Sequence, residues 1–359
     1  MVRLIIIGNG FDLSHGFKTK YSDFLEWYYK RALRELNETR IFKDCLLEIS
    51  FQQGVNGIPV SDKTDIKYYL DLPKERRGFN INPISELMKS MINDRKWVDF
   101  EYEFFVAISS HILDNSLSSY RAEKVKKINK DLVYIKELLI KYLGSIDLYF
   151  NPTPEYIEKF AKQINHYEII KIPYRANYEN NIDKILFLNF NYTNLIETYI
   201  PGIYEINPGI KFINTINIHG SLNDEQSNII FGYGDEYCKE YKILENHPEK
   251  ELLQNFKSFG YFLNDSYQTL LRTIESENFE VFVVGHSLGI SDRTLLKQIF
   301  EHKNCVSIKL FQKDKDDYTN KTYNAASHFD DKILMRERIQ PYNKLNDMPQ
   351  VAQKKLMKN

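Results

Sequence analysis

Val2-Arg3-Leu4-Ile5-Ile6-Ile7-Gly8-Asn9-Gly10-Phe11-Asp12, continued by Leu13-Ser14-His15-Gly16, is the stretch on which the fold reading turns. The run before Gly8 has the apolar continuity of a strand buried on both faces. It breaks abruptly into closely spaced glycines. Such a turn lets backbone N–H groups approach a phosphate with no side chain in the way. The dinucleotide fingerprint G-x-G-x-x-G is incomplete, because Leu13 stands at its third glycine. A tight strand-to-helix turn without a ligand fits the same residues, so the rest of the chain must decide.

Three later stretches repeat the arrangement of an apolar strand followed by a polar loop. Lys184 to Leu188 leads into Asn189-Phe190-Asn191-Tyr192-Thr193-Asn194, and Phe212 to Ile218 ends in His219-Gly220-Ser221. Val281 to Val284 ends in Gly285-His286-Ser287-Leu288-Gly289. A further strand is expected over Val306–Phe311, and a short one over Asn228–Phe231. Strands alternating with helices predict an α/β fold, with a Rossmann-like parallel sheet flanked by helices. Ligands bind such sheets beyond the carboxyl ends of the strands, where all four loops fall. Tyr21–Leu36 reads as the helix after the glycine loop, and the helical periodicity of Pro83–Asn93, Trp97–Leu113 and Tyr120–Leu143 predicts a large helical insertion after this first βα unit. The expected organisation is a core over 1–36 and 166–340, a mainly helical insertion over 37–165 and a polar tail over 341–359.

Each loop has a functional and a bland reading. Asp12 accepts from a ribose hydroxyl or caps a helix; His15 reads as an exposed loop residue. Asn191 holds a carboxamide or water with its amide, or caps the next helix together with Thr193. His219, at a strand end before a glycine, is placed as a general base with a pKa near neutrality. Gly285 to Gly289 satisfies the G-x-S-x-G nucleophile elbow, with Asp314, Asp316 or Asp317 and His328 downstream as partners. An elbow starts its helix directly after the serine, whereas Gly289 and Ser291-Asp292 defer the start. Asp99 and Glu101, two apart in Trp97-Val98-Asp99-Phe100-Glu101, diverge by about 200° on a helix and make no paired site.

Bulk properties exclude several classes. The 359 residues are 43% hydrophobic and 27% charged with net charge −1, which gives no electrostatic case for nucleic acid or an anionic membrane surface. No apolar run approaches the roughly 20 residues of a membrane span. Cys45, Cys238 and Cys305 are too few and too scattered for a disulfide framework or a four-cysteine zinc site. A cytoplasmic chain without a metal is expected. The 25 Tyr and 23 Phe read as compositional drift that supplies core rings.

Taken in order, five motifs resemble the AbiH family of bacteriophage abortive-infection proteins. They are Ile5 to Gly16 with Tyr21-Ser22-Asp23-Phe24, Trp97 to Glu101, Asn189 to Thr193, Ile218 to Leu222, and Gly285 to Asp292. The same order is distantly similar to sirtuin-like NAD-consuming defence domains. That resemblance matches Gly8, Gly10 and Gly16 to a glycine loop, Asn191 to a strand-end asparagine and His219-Gly220 to a catalytic histidine with its glycine. Thr193 and Lys18 depart from that group, and its four-cysteine zinc module is missing. The resemblance implies an antiphage effector that hydrolyses the nicotinamide–ribose bond of NAD, or alternatively a nucleotide-binding sensor or an interaction subunit of a defence complex. His219 and Asn191 would be catalytic. Gly8, Asn9, Gly10, Phe11, Asp12, Gly16, Gly285, Ser287 and Asp292 would hold the dinucleotide. A phage-derived trigger and a homo-oligomer or defence-complex partner are further expectations.

Overall fold

A computed structural model describes residues 1–52, 61, 66–89, 100–111, 118–170, 182–223 and 228–350. Its strands are β1 (Val2–Ile7), β2 (Ile41–Lys43), β3 (Leu47–Phe51), β4 (Phe79–Pro83), β5 (Lys184–Asn189), β6 (Phe212–Asn217), β7 (Phe279–Val284) and β8 (Cys305–Leu310). The chain divides into two compact units. One comprises Met1–Lys18, Ile146–Tyr237 and Phe256–Asn359; the other comprises Thr19–Ser145 and Cys238–Asn255.

The first unit holds a five-stranded sheet in the order β6-β5-β1-β7-β8, with every pairing parallel. Numbered along this sheet alone, the order is that of a Rossmann fold, reversing direction between β1 and β7. All six residues of β1 are buried, because the strand is central and covered on both faces. Leu4 and Ile6 pack with Leu270, Ile274, Leu295 and Ile299, from the helices Ser266–Ser276 and Arg293–Phe300. Ile5 and Ile7 pack on the other face with Tyr156, Phe160 and Ile203, from Pro154–Ala161 and Ile200–Ile206. Each such aliphatic side chain contributes about 1.5–3 kcal/mol of burial free energy. Together they give the parallel α/β sheet that the unbroken apolar runs predict.

Arg3 is the exception in β1. Its guanidinium lies 2.5 Å from Glu280 of β7, donates to the Phe160 and Lys162 carbonyls, and sits 4.4 Å from the centre of the Phe282 ring.

The second unit carries the helices Tyr21–Thr39, Phe100–Ser110 and Ser118–Gly144 and an antiparallel sheet β2-β3-β4. That sheet lies within the stretch 37–165 expected to be mainly helical, and adds strands the sequence reading did not place there. Its strands are short, and β2 buries only its middle residue, so little apolar pattern marks them. The expected Asn228–Phe231 strand is also absent; the described residues there are irregular. Asp99 lies outside the described residues, and Glu101 is buried within its helix.

Candidate functional site

The four loops singled out in the sequence converge beyond the carboxyl ends of β1, β5, β6 and β7, all in the first unit. Two of them interlock through glycines. Gly8 N–H donates to Val284 O at 3.0 Å, Gly10 N–H to Gly285 O at 2.8 Å, and Phe11 N–H to Gly8 O. A Cβ on Gly8 would lie 2.5 Å from His286 Cα, and one on Gly10 2.7 Å from Gly285 O. Gly285 has φ +72°, and a Cβ there would strike Phe11 N. The glycines are therefore required for the close approach of two loops, and the Gly8 and Gly10 amides are engaged within the protein. This changes the sequence reading, in which those amides face a phosphate.

The loop after Ser14 differs too. Asn9–Ser14 is one short helix, and Gly16, with φ +80°, turns the chain out of it. His15 is buried rather than exposed. Nδ1 meets the Phe11 carbonyl and Nε2 the Tyr199 hydroxyl, both at 2.7 Å, in a cage of Phe11, Phe150, Tyr156 and Tyr199. Burial pushes its pKa down against the Phe11 hydrogen bond. Phe11 is wholly buried in the same cage, so it is a core ring; Asn9 is exposed.

Asp12, the next residue of that helix after Phe11, is buried as well. Its carboxyl accepts from Asn191 Nδ2 at 2.8 Å and from Thr193 Oγ1 at 2.6 Å. Burial pushes its pKa up to about 7, against the lowering effect of those two hydrogen bonds. Asn191 is held by Asn189, whose Oδ1 accepts from Asn191 N and whose Nδ2 donates to Thr193 O and Asn217 Oδ1. Asn191 Nδ2 also reaches Gly8 O at 3.2 Å. The strand-end asparagines thus build the loop themselves and present Asn191 to the carboxyl of Asp12.

The second half of the site is a buried charge cluster. Asp292 Oδ1 lies 2.8 Å from Lys257 Nζ and 3.4 Å from His219 Nε2, while Oδ2 lies 3.5 Å from His286 Nε2. Burial raises the Asp292 carboxyl, but the Lys257 charge, the His286 hydrogen bond and His219 outweigh it and hold the group below the usual carboxylate range. His286 Nδ1 accepts from Leu288 N, which leaves the proton on the nitrogen facing Asp292. Leu288 adopts φ +58° to make this turn, its side chain wholly buried.

His219 is edge-on to Phe190 and stacked on Tyr261, whose hydroxyl is 3.4 Å from Nε2. Burial, with the nearby Lys257 charge, pushes His219 down to about 3 against the attraction of Asp292. The imidazole is therefore neutral at neutral pH, in place of the near-neutral titration expected from sequence. Lys257, His286 and Tyr261 escaped the sequence reading. His286 had a signal, as the first side chain after the β7 glycine; Lys257 and Tyr261 lie in a stretch that reads as an ordinary helix.

Ser287 is exposed, and no helix begins until Ile290. His328 Nε2 faces the Leu288 carbonyl, and His302 pairs with Glu275. The nucleophile elbow is not assembled. Among the described residues no group of three or more His, Cys, Asp or Glu is arranged to hold a metal ion, and no helix is long and apolar enough to cross a membrane.

No curated protein and no solved structure matches the chain. One family model does, described as bacteriophage abortive infection AbiH, and it aligns with residues 4–314, taking in all four loops of the site. The match covers most of the chain and agrees with the order of motifs, so the protein belongs to the AbiH family of bacteriophage abortive-infection proteins.

Proposed function

We propose that the carboxyl-end site of the first unit binds NAD and hydrolyses its nicotinamide–ribose bond when infection triggers it. One observation carries this reading. Asp12, pushed up to about 7, and His219, pushed down to about 3, belong to one four-loop site at the reversal of strand order. Strongly perturbed titratable groups gathered in one set of strand-end loops are the usual mark of a functional site. Water attacks the ribose C1′ as the C1′–N bond breaks, and the bonding pair leaves with nicotinamide, whose ring becomes neutral. The water proton passes to His219 Nε2, where Asp292 stabilises the imidazolium. Asn191 offers Oδ1 to the carboxamide or the water, its Nδ2 being committed to Asp12 and Gly8. The engaged Gly8 and Gly10 amides do not fit a diphosphate cradle, and no step is assigned to them. A phage-derived trigger, and self-association or a defence-complex partner, belong to the same proposal.

A sensor that binds the nucleotide without turning it over is the second reading. The observation favouring it is His219 itself, which at a pKa of about 3 is a weak base.

The test is nicotinamide release from NAD by purified protein supplied with extract of phage-infected cells. Wild-type release and a loss of about 100-fold or more in His219→Ala are expected. Release that survives the substitution overturns the role of His219; NAD binding without release selects the sensor.

A further inference from the structure

β6 is an edge strand, paired only with β5. The Phe212 and Ile218 amides point inward to Asp183 O and Asn189 O, so by the two-residue period the main chain of Ile213, Thr215 and Asn217 faces outward. Ile213 N–H is covered by the Tyr204 hydroxyl. Beyond it a cleft of about 450 Å³ runs along the strand, lined by Asn214, Thr215, Asn217, Asn228, Leu263 and Asp265 among others. Its volume lies in the range of small-molecule sites.

The lining has a definite chemistry. Among the described residues it includes no lysine, arginine or histidine, and the one charge is the carboxylate of Asp265. That carboxylate precedes the helix Ser266–Ser276 yet makes no capping hydrogen bond. Leu263 is exposed beside these groups and offers a ring an apolar face. A phosphate would meet a like charge and no cation. A neutral ribose and base would instead meet a carboxylate for its vicinal hydroxyls and carboxamides for the base edge.

The cleft is also wired to the site. Asn217, in its wall, accepts from Asn189; Asn189 accepts from Asn191 N; and Asn191 donates to Asp12. We propose that this cleft is a nucleoside subsite, taking the uncharged nucleoside half of a dinucleotide whose other half lies at Asp12 and His219. The assignment rests on the NAD reading for the identity of that other half, and on the cleft alone for its own ligand.

The experiment is calorimetric titration of the intact protein with adenosine, NAD and nicotinamide mononucleotide, repeated for Asp265→Asn and Thr269→Tyr. Thr269 lines the cleft, and tyrosine there would crowd it with a ring. Adenosine should bind the wild type, weaken at least tenfold in Asp265→Asn and be lost in Thr269→Tyr. Both variants should keep the wild-type melting temperature and affinity for the mononucleotide. Absence of adenosine binding to the folded wild type, or unchanged affinity in both variants, overturns the subsite. If adenosine behaves as stated while NAD is bound and not cleaved, the hydrolytic reading fails and the subsite stands.

Discussion

Arg3 and Glu280 lie near the amino ends of β1 and β7, while Asp12, His219, Lys257 and Asp292 lie past the carboxyl ends of the same sheet. All six are buried, but they are satisfied differently. Arg3 meets a carboxylate, two carbonyls and an aromatic face, which uses the directions its guanidinium offers. At the other end lie two acids, two imidazoles and an ammonium, with several of their contacts at 3.4–3.5 Å. Burial pushes Asp12 up to about 7 and His219 down to about 3 there. Buried charge alone therefore does not mark function.

The sharpest way to break this contrast is Glu280→Ala. It leaves Arg3 buried without its anion, so urea unfolding should show a loss of about 3–5 kcal/mol, while nucleotide affinity of the folded fraction stays unchanged. Gly285→Ala comes next. The left-handed φ and the collision with Phe11 N should cost roughly 2–3 kcal/mol in the same assay, and here affinity should fall too, because the interlocked loops part.

The third prediction uses pH. Asp12 titrates near 7 when folded against 3.8 unfolded, so between these values the folded chain holds the extra proton and stability falls as pH rises. His219 titrates near 3 when folded against 6.5 unfolded, so the unfolded chain holds the extra proton and stability rises with pH. The two oppose each other in the wild type between roughly pH 4 and 6.5. Asp12→Asn should expose the rising slope and His219→Gln the falling one, each up to about 1.4 kcal/mol per pH unit. Parallel profiles in the two variants would remove the electrostatic half of the comparison. Smallest of all is Ser287→Ala, an exposed position where stability should stay within about 0.5 kcal/mol in the same urea assay.

The sheet was legible because strands buried on both faces read as unbroken apolar runs; β1 and β5 begin where the sequence places them. β2, β3 and β4 were not, since short strands of an antiparallel sheet carry little pattern. At the site, the strand-end positions of Asn191, His219 and Asp292 could be read from their neighbours. The burial that shifts their chemistry could not, because it comes from residues far along the chain. Lys257 left no local trace: a lysine becomes a counter-ion only when folding brings Asp292 to it. His15 was misread for the same reason, its cage being closed by Phe150, Tyr156 and Tyr199.

The central position of β1 has a consequence in time. Its two neighbours, β5 and β7, begin at Lys184 and Phe279, so the strand around which the sheet is built is synthesised long before either partner. At ordinary ribosomal speeds of about 5–20 residues per second, β1 waits on the order of 10–40 s for β5 and longer for β7. During that interval a mostly apolar strand has no sheet to join, and its late pairings close long loops. Nascent chains should therefore be more prone to aggregation and chaperone capture than the finished protein, until β7 is released from the ribosome.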